Sequence, residues 1–180
     1  LTSGDDNVAV GHNALGANTT GSDNTSIGFD TMKANTTGAD NVAVGVGALI
    51  ANTTASQNTA LGRATLFTNT TGADNVAVGR YALLANTTGN SNVAIGSGAL
   101  DANTTAGQNT GVGAAALGAN IDGALNVAVG ANALLANTTA DQNTSVGALS
   151  MDANTTGANN TAVGTSALGA NTTASNNVAI

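Results

Sequence analysis

The side chains able to do chemistry are few, and their spacing tells more than their number. The chain has one histidine (His12), three basic residues (Lys33, Arg63 and Arg80) and no cysteine. From that inventory no nucleophilic triad, His-rich metal site or arginine clamp can be assembled, so the sequence predicts no enzyme. Aspartates recur seventeen residues apart at Asp6, Asp23 and Asp40, and again at Asp74. The same position then carries Gln57, Ser91, Gln108, Leu125 and Gln142. Calcium-binding turns are denser in acid than this, so neither calcium nor any other cofactor is expected. Asn-Thr-Thr, formally a glycosylation acceptor, occurs in nine of ten repeats. Glycans on coils only about 4.8 Å apart would collide, which leaves sparse N-glycans at most.

These positions belong to a strict period. An Asn opens each unit at 7, 24, 41 and every seventeenth residue to 177, without insertion or deletion. Ten complete repeats cover 7–176, with part-coils at 1–6 and 177–180. Counting slots from that Asn, the consensus is N-[VT]-A-V-G-x-x-A-L-x-A-N-T-T-[GA]-x-x. A short fixed period marks a solenoid, in which each turn buries its face on its neighbours. Gly in slot 5, Asn in slots 1 and 12 and a Thr pair disfavour a helix. Alternating β-branched residues over slots 2–4 predict a strand, and a second short strand is expected through slots 8–11. The fold class is therefore all-β: a parallel β-solenoid, or β-roll, of about ten seventeen-residue coils. Residues 1–180 read as one such segment of a longer repetitive chain.

Each slot has an expected place. Slot 4 is always a branched aliphatic (Val10, Ile27, Val44, Leu61, Val78, Ile95) and slot 9 always a long one (among them Leu15, Leu49, Leu83 and Leu100). Both are expected to face inward as the core ladder. Gly11, Gly28, Gly45, Gly62 and Gly79 hold slot 5, a corner requiring positive φ or close backbone approach. The Asn of slot 1 (Asn7, Asn24, Asn41, Asn58, Asn75) and slot 12 (Asn18, Asn35, Asn52, Asn86) suit turns and, stacked, a hydrogen-bonded ladder. One repeat loses the acceptor tripeptide yet keeps Asn120, which favours the ladder over the glycan. Slots 6, 7, 10 and 16 vary freely and are expected to face water, so His12, Phe29, Arg63, Arg80 and Tyr81 read as surface decoration. Slot 3 would then point outward, yet it holds only Ala, Ser or Gly. Its persistent smallness at Ala9, Ala43, Ala60, Ala77, Ala94 and Ala128 suggests a chain–chain contact, the alternative being a second narrow interior within one flattened coil.

The motifs "NVAVGxxAL", "NTSIG", "NVAIG" and "NTAVGTSAL" resemble the head repeats of trimeric autotransporter adhesins of the YadA type. They are also similar to Asn-Thr-Gly-rich repeats of phage tail fibres and bacterial surface proteins. The resemblance covers the whole chain and implies a left-handed parallel β-roll, three associated chains, and a surface that binds host matrix or other cells. It places the small slot 3 near the trimer contact. Here the coil is longer than the family's usual one, with "ANTTG" added.

Composition narrows the function classes. Charged residues are 7% and aromatics 2%, with no Pro, Cys or Trp, against about 25% charged in an average domain. A net charge of −7 without a basic patch argues against nucleic acid. No apolar run is long enough to insert in a membrane. The expected role is a structural or adhesive fibre segment at a cell or virion surface, self-associating as a homotrimer or end-to-end filament, with a host or cell-surface receptor as possible partner. A phage tail-fibre shaft is one alternative. The other is an ice-binding solenoid presenting the Asn of slot 12 and the Thr of slot 14 as two outward ranks.

Overall fold

The computed structural model describes residues 4–180; of the leading part-coil, residues 1–3 lie outside the described residues. Eleven short strands follow one another: β1 (Val8–Val10), β2 (Thr25–Ile27), β3 (Val42–Val44), β4 (Thr59–Leu61), β5 (Val76–Val78), β6 (Val93–Ile95), β7 (Thr110–Val112), β8 (Val127–Val129), β9 (Thr144–Val146), β10 (Thr161–Val163) and β11 (Val178–Ala179). They form one parallel sheet in sequence order. Every pairing joins residues one period apart, as in Val42 with Thr59 and Val44 with Leu61. The chain is thus an all-β parallel solenoid with one coil per repeat and no helix among the described residues.

Local chemistry explains the coil. Two β-branched residues flanking a small one suit a pleated strand. Slot 5 then ends it: its glycines have φ between 126° and 141°. At Gly62 a Cβ would also lie 2.8 Å from the carbonyl oxygen of Gly79, so both requirements read from the sequence are met. Inter-coil bonding continues through the turns, for example from Leu49 N–H to Thr65 O (3.0 Å) and from Thr53 N–H to Thr70 O (3.1 Å). These bonds pair backbone groups of the turns from one coil to the next, where a buried group without a partner would be costly.

The second strand does not form. Slots 6–11 are turn, and slot 9 sits in the left-handed region at φ 46° to 55° in all ten repeats. In a strand, successive side chains point to opposite faces. A left-handed residue breaks that alternation, and so slots 8 and 9 both point inward: Ala48 and Leu49, Ala82 and Leu83, Ala99 and Leu100 are fully buried. The conformation costs about 1–2 kcal/mol per residue, whereas burying a Leu returns about 1.5–3 kcal/mol. Burial wins.

The same geometry overturns the expected strand orientation. Slot 3 is the inward row: Ala43, Ala60, Ala77, Ala94 and Ala128 are fully buried, though Ala9 on β1 is exposed. They pack in one core with the slot 9 side chains Leu15, Leu49, Leu83 and Leu100. Slot 4 faces out instead, with Val10 at 57% exposure, Ile27 at 38%, Leu61 at 37% and Ile95 at 39%, Val44 also exposed and Val78 half-buried. The reason is width. Ser26 Oγ on the strand donates to Thr31 O on the opposite wall (3.0 Å), and Ser145 Oγ likewise to Ser150 O (2.7 Å). An interior that one hydroxyl can span holds a single large side chain per coil, and slot 9 supplies it. The smallness of slot 3 therefore reflects packing within the chain and not a contact between chains.

Candidate functional site

Two asparagine columns run the length of the solenoid. In the slot 1 column, Asn41 Oδ1 accepts from the backbone N–H of Asn58 (3.0 Å) and from its Nδ2 (3.3 Å). In the slot 12 column, Asn52 Nδ2 donates to Asn35 Oδ1 (2.8 Å) and to Ala55 O (3.0 Å). Asn24, Asn41, Asn58 and Asn75, and Asn18, Asn35, Asn52 and Asn86, are buried; Asn7 is half-buried. Among the described residues, Asn143 Nδ2 is a buried side-chain nitrogen without a partner. The predicted ladder thus exists, and it is doubled.

This placement bears on two surface roles considered from sequence. The slot 12 amide of a typical repeat is enclosed and spends both hydrogens, so the folded coil presents no free nitrogen to a glycan. The same burial removes the Asn rank from the ice-binding arrangement, leaving only the exposed slot 14 threonines such as Thr37 and Thr54. Slot 13 hydroxyls are engaged along the axis, as Thr36 Oγ1 is with Thr53 O (3.0 Å).

The outward face of the sheet is the largest feature that the interior does not explain. Slot 2 contributes Val or Thr, slot 4 Val, Ile or Leu, along the eleven paired strands. At about 4.8 Å per strand this gives a β-branched, largely apolar strip about 50 Å long. Flanking it, the slot 17 side chains Asp6, Asp23, Asp40 and Asp74 stand exposed at φ 54° to 59°. Among the described residues no three His, Cys, Asp or Glu are grouped closely enough to hold a metal.

Beyond the strip, slots 6 and 7 carry His12, Phe29, Asp30, Arg63, Arg80 and Tyr81, and stacking brings several of them together. His12 and Phe29 lie face to face with centroids 5.1 Å apart. Asp30 accepts from Asn13 Nδ2 (2.9 Å), with Lys33 Nζ at 3.5 Å and His12 Nδ1 at 3.9 Å. The Asn13 bond, helped by Lys33 and the His12 charge, holds the Asp30 carboxyl below its ordinary pKa against an opposing desolvation effect. Three coils further along, Arg80 Nη2 donates to Tyr81 Oη (3.1 Å). That bond, with the Arg63 and Arg80 charges, draws the Tyr81 phenol below its ordinary value. Asp101 is shifted the other way by burial. Sequence reading treated these side chains one at a time. The signal it passed over is that His12 and Phe29, and Arg63 and Arg80, are one period apart.

Compared with known proteins, the chain matches no family model, no curated protein and no solved structure.

Proposed function

We propose that the chain is a segment of an extracellular structural or adhesive fibre that self-associates through the outward face of its sheet. The observation that carries this reading is the slot 4 row: branched aliphatic in every coil, outward-facing, and in register along the axis. Contiguous apolar surface beyond a few hundred Å² marks an interaction site on a soluble protein. The strip has the rise of the solenoid itself, so a second copy of the same chain can match it coil for coil. Nothing else in the molecule accounts for Ile or Leu at Ile27, Leu61 and Ile95, where Thr or Lys would serve a free surface equally well. The resemblance of the repeats to adhesin heads supports three copies, left-handed winding and a cell- or virion-surface location. It also supports an absence of catalysis, of nucleic-acid binding and of membrane insertion by this segment.

Light scattering on the purified chain and on a Val44→Lys/Leu61→Lys/Ile95→Lys variant tests the reading. The expected result is a homo-oligomer for the unchanged chain and a 17.1 kDa monomer with an unaltered circular dichroism spectrum for the variant. A monomeric unchanged chain, or a variant of undiminished size, would overturn it.

A further inference from the structure

The two arginines of the chain stand one above the other. Arg63 and Arg80 both occupy slot 6, in adjacent coils. In-register pairing of Leu61 with Val78 holds their backbones one inter-strand step apart, about 4.8 Å. Like charges so placed repel, and in a chain of net charge −7 an interposed carboxylate would be the ordinary remedy. None is present: among the described residues the ion pairs are confined to Asp30, with His12 and Lys33. Tyr81 gathers the two cations instead. Its backbone N–H donates to Arg63 O (3.1 Å). Its ring lies 4.3 Å from the Arg80 guanidinium carbon and 5.9 Å from that of Arg63. An aromatic face attracts cations without neutralising them.

The result is an exposed pair of uncompensated charges with donors to spare. Each guanidinium carries five N–H groups. Arg80 directs one nitrogen to the Tyr81 hydroxyl, and the Arg63 side chain makes no hydrogen bond among the described residues. On the same slot 6 edge, Val46 and Phe29 continue toward the N-terminus as exposed apolar surface. Toward the C-terminus the edge holds only Ser97, Ala114, Ala131, Ala148 and Thr165.

We infer that Arg63, Arg80 and Tyr81 form a binding site for the sulfate or carboxylate groups of an acidic polysaccharide lying along the solenoid axis. The planar fork of a guanidinium matches such oxyanions in bidentate fashion. Two forks at a fixed axial step suit a linear polymer bearing successive anionic groups better than one compact ion. The apolar edge beside them suits the C–H faces of sugar rings. Nucleic acid fits poorly, because its phosphate spacing rewards a longer run of cations than three basic residues provide. The inference goes beyond the fibre reading and does not depend on it, since slot 6 lies outside the slot 2 and slot 4 rows.

Biolayer interferometry at low salt tests it, with immobilised heparin (sulfate and carboxylate), hyaluronan (carboxylate alone), dextran (neutral) and a single-stranded oligonucleotide. The unchanged chain should bind heparin, with weaker or equal binding to hyaluronan, no binding to dextran, and a steep decline as salt rises. Arg63→Gln/Arg80→Gln should weaken heparin binding about tenfold or more, as expected for losing charge-assisted bonds. Lys33→Gln, a cation already paired with Asp30, should leave binding unchanged. Failure of the unchanged chain to bind either acidic polysaccharide, equal binding by the double variant, or equal binding to the oligonucleotide would overturn the inference. Circular dichroism and light scattering on the double variant separate this result from any change of fold or assembly.

Discussion

Asn24 and Asn35 donate to the same acceptor, the carbonyl oxygen of Gly38, each at 2.9 Å. One Asn belongs to the slot 1 column and the other to slot 12 of the same repeat, so this shared carbonyl ties the two ladders together. The arrangement recurs at Ala55, which receives Asn41 and Asn52, and at Gly89, which receives Asn75 and Asn86. The interior is thus held by a hydrogen-bonded seam on one side and the Leu–Ala packing on the other.

The seam makes single Asn replacements costly. Asn75→Ala strips the partner from Asn92 N–H (2.9 Å) and Asn92 Nδ2 (3.2 Å). The Nδ2 keeps its bond to Ala106 O, whereas the buried backbone N–H is orphaned. Urea denaturation should show a loss of about 1–3 kcal/mol, the usual cost of a buried unsatisfied group.

Strand orientation is open to a paired test. Ala77→Lys places a charge in the sealed interior against the Leu column and should abolish the β-sheet circular dichroism signal at room temperature. Val78→Lys, on the outward face, should leave that signal intact. If the two variants behave alike, the assignment of slot 3 to the interior fails.

At the strand's end, Gly62→Ala meets two penalties at once, a φ of 135° and a contact of 2.8 Å with the Gly79 carbonyl oxygen. Because that oxygen is backbone, relief requires the neighbouring coil to move. Thermal melting should reveal destabilisation of more than about 1 kcal/mol, beyond the ordinary cost of Ala in a conformation it cannot adopt.

The slot 6 and slot 7 edge should show opposite-end pH behaviour. The Asp30 carboxyl is held below its ordinary value, first by the Asn13 bond and then by Lys33 and His12. A depressed carboxyl stabilises the fold above the unfolded-state value and loses that contribution as pH falls through the folded one. Asp30→Asn should therefore flatten a small acid-side slope in the melting temperature. Tyr81 is also depressed below the ordinary phenol value, first by the Arg80 hydrogen bond and then by the Arg63 charge. Its phenolate should appear at lower pH in an absorbance titration than in the Arg80→Gln variant.

Much of this architecture was legible in the repeat. The seventeen-residue period required a coil per unit. The Gly at slot 5 marked its corner, and Asn at slots 1 and 12 marked stacked amides, because each needs the same residue type in every coil. The strand at slots 2–4 followed from alternation. What alternation could not decide was which face is inside, since a strand reads the same when turned over. Large slot 4 and small slot 3 residues favoured the wrong answer on hydrophobicity alone. The tertiary structure decides it by volume: slot 9, turned inward through a left-handed backbone, fills the one space available, and only Ala, Ser or Gly fits across from it. Stacking likewise decided that Arg63, Arg80 and Tyr81 act as one cluster, because contact between residues seventeen apart exists only once the coil closes.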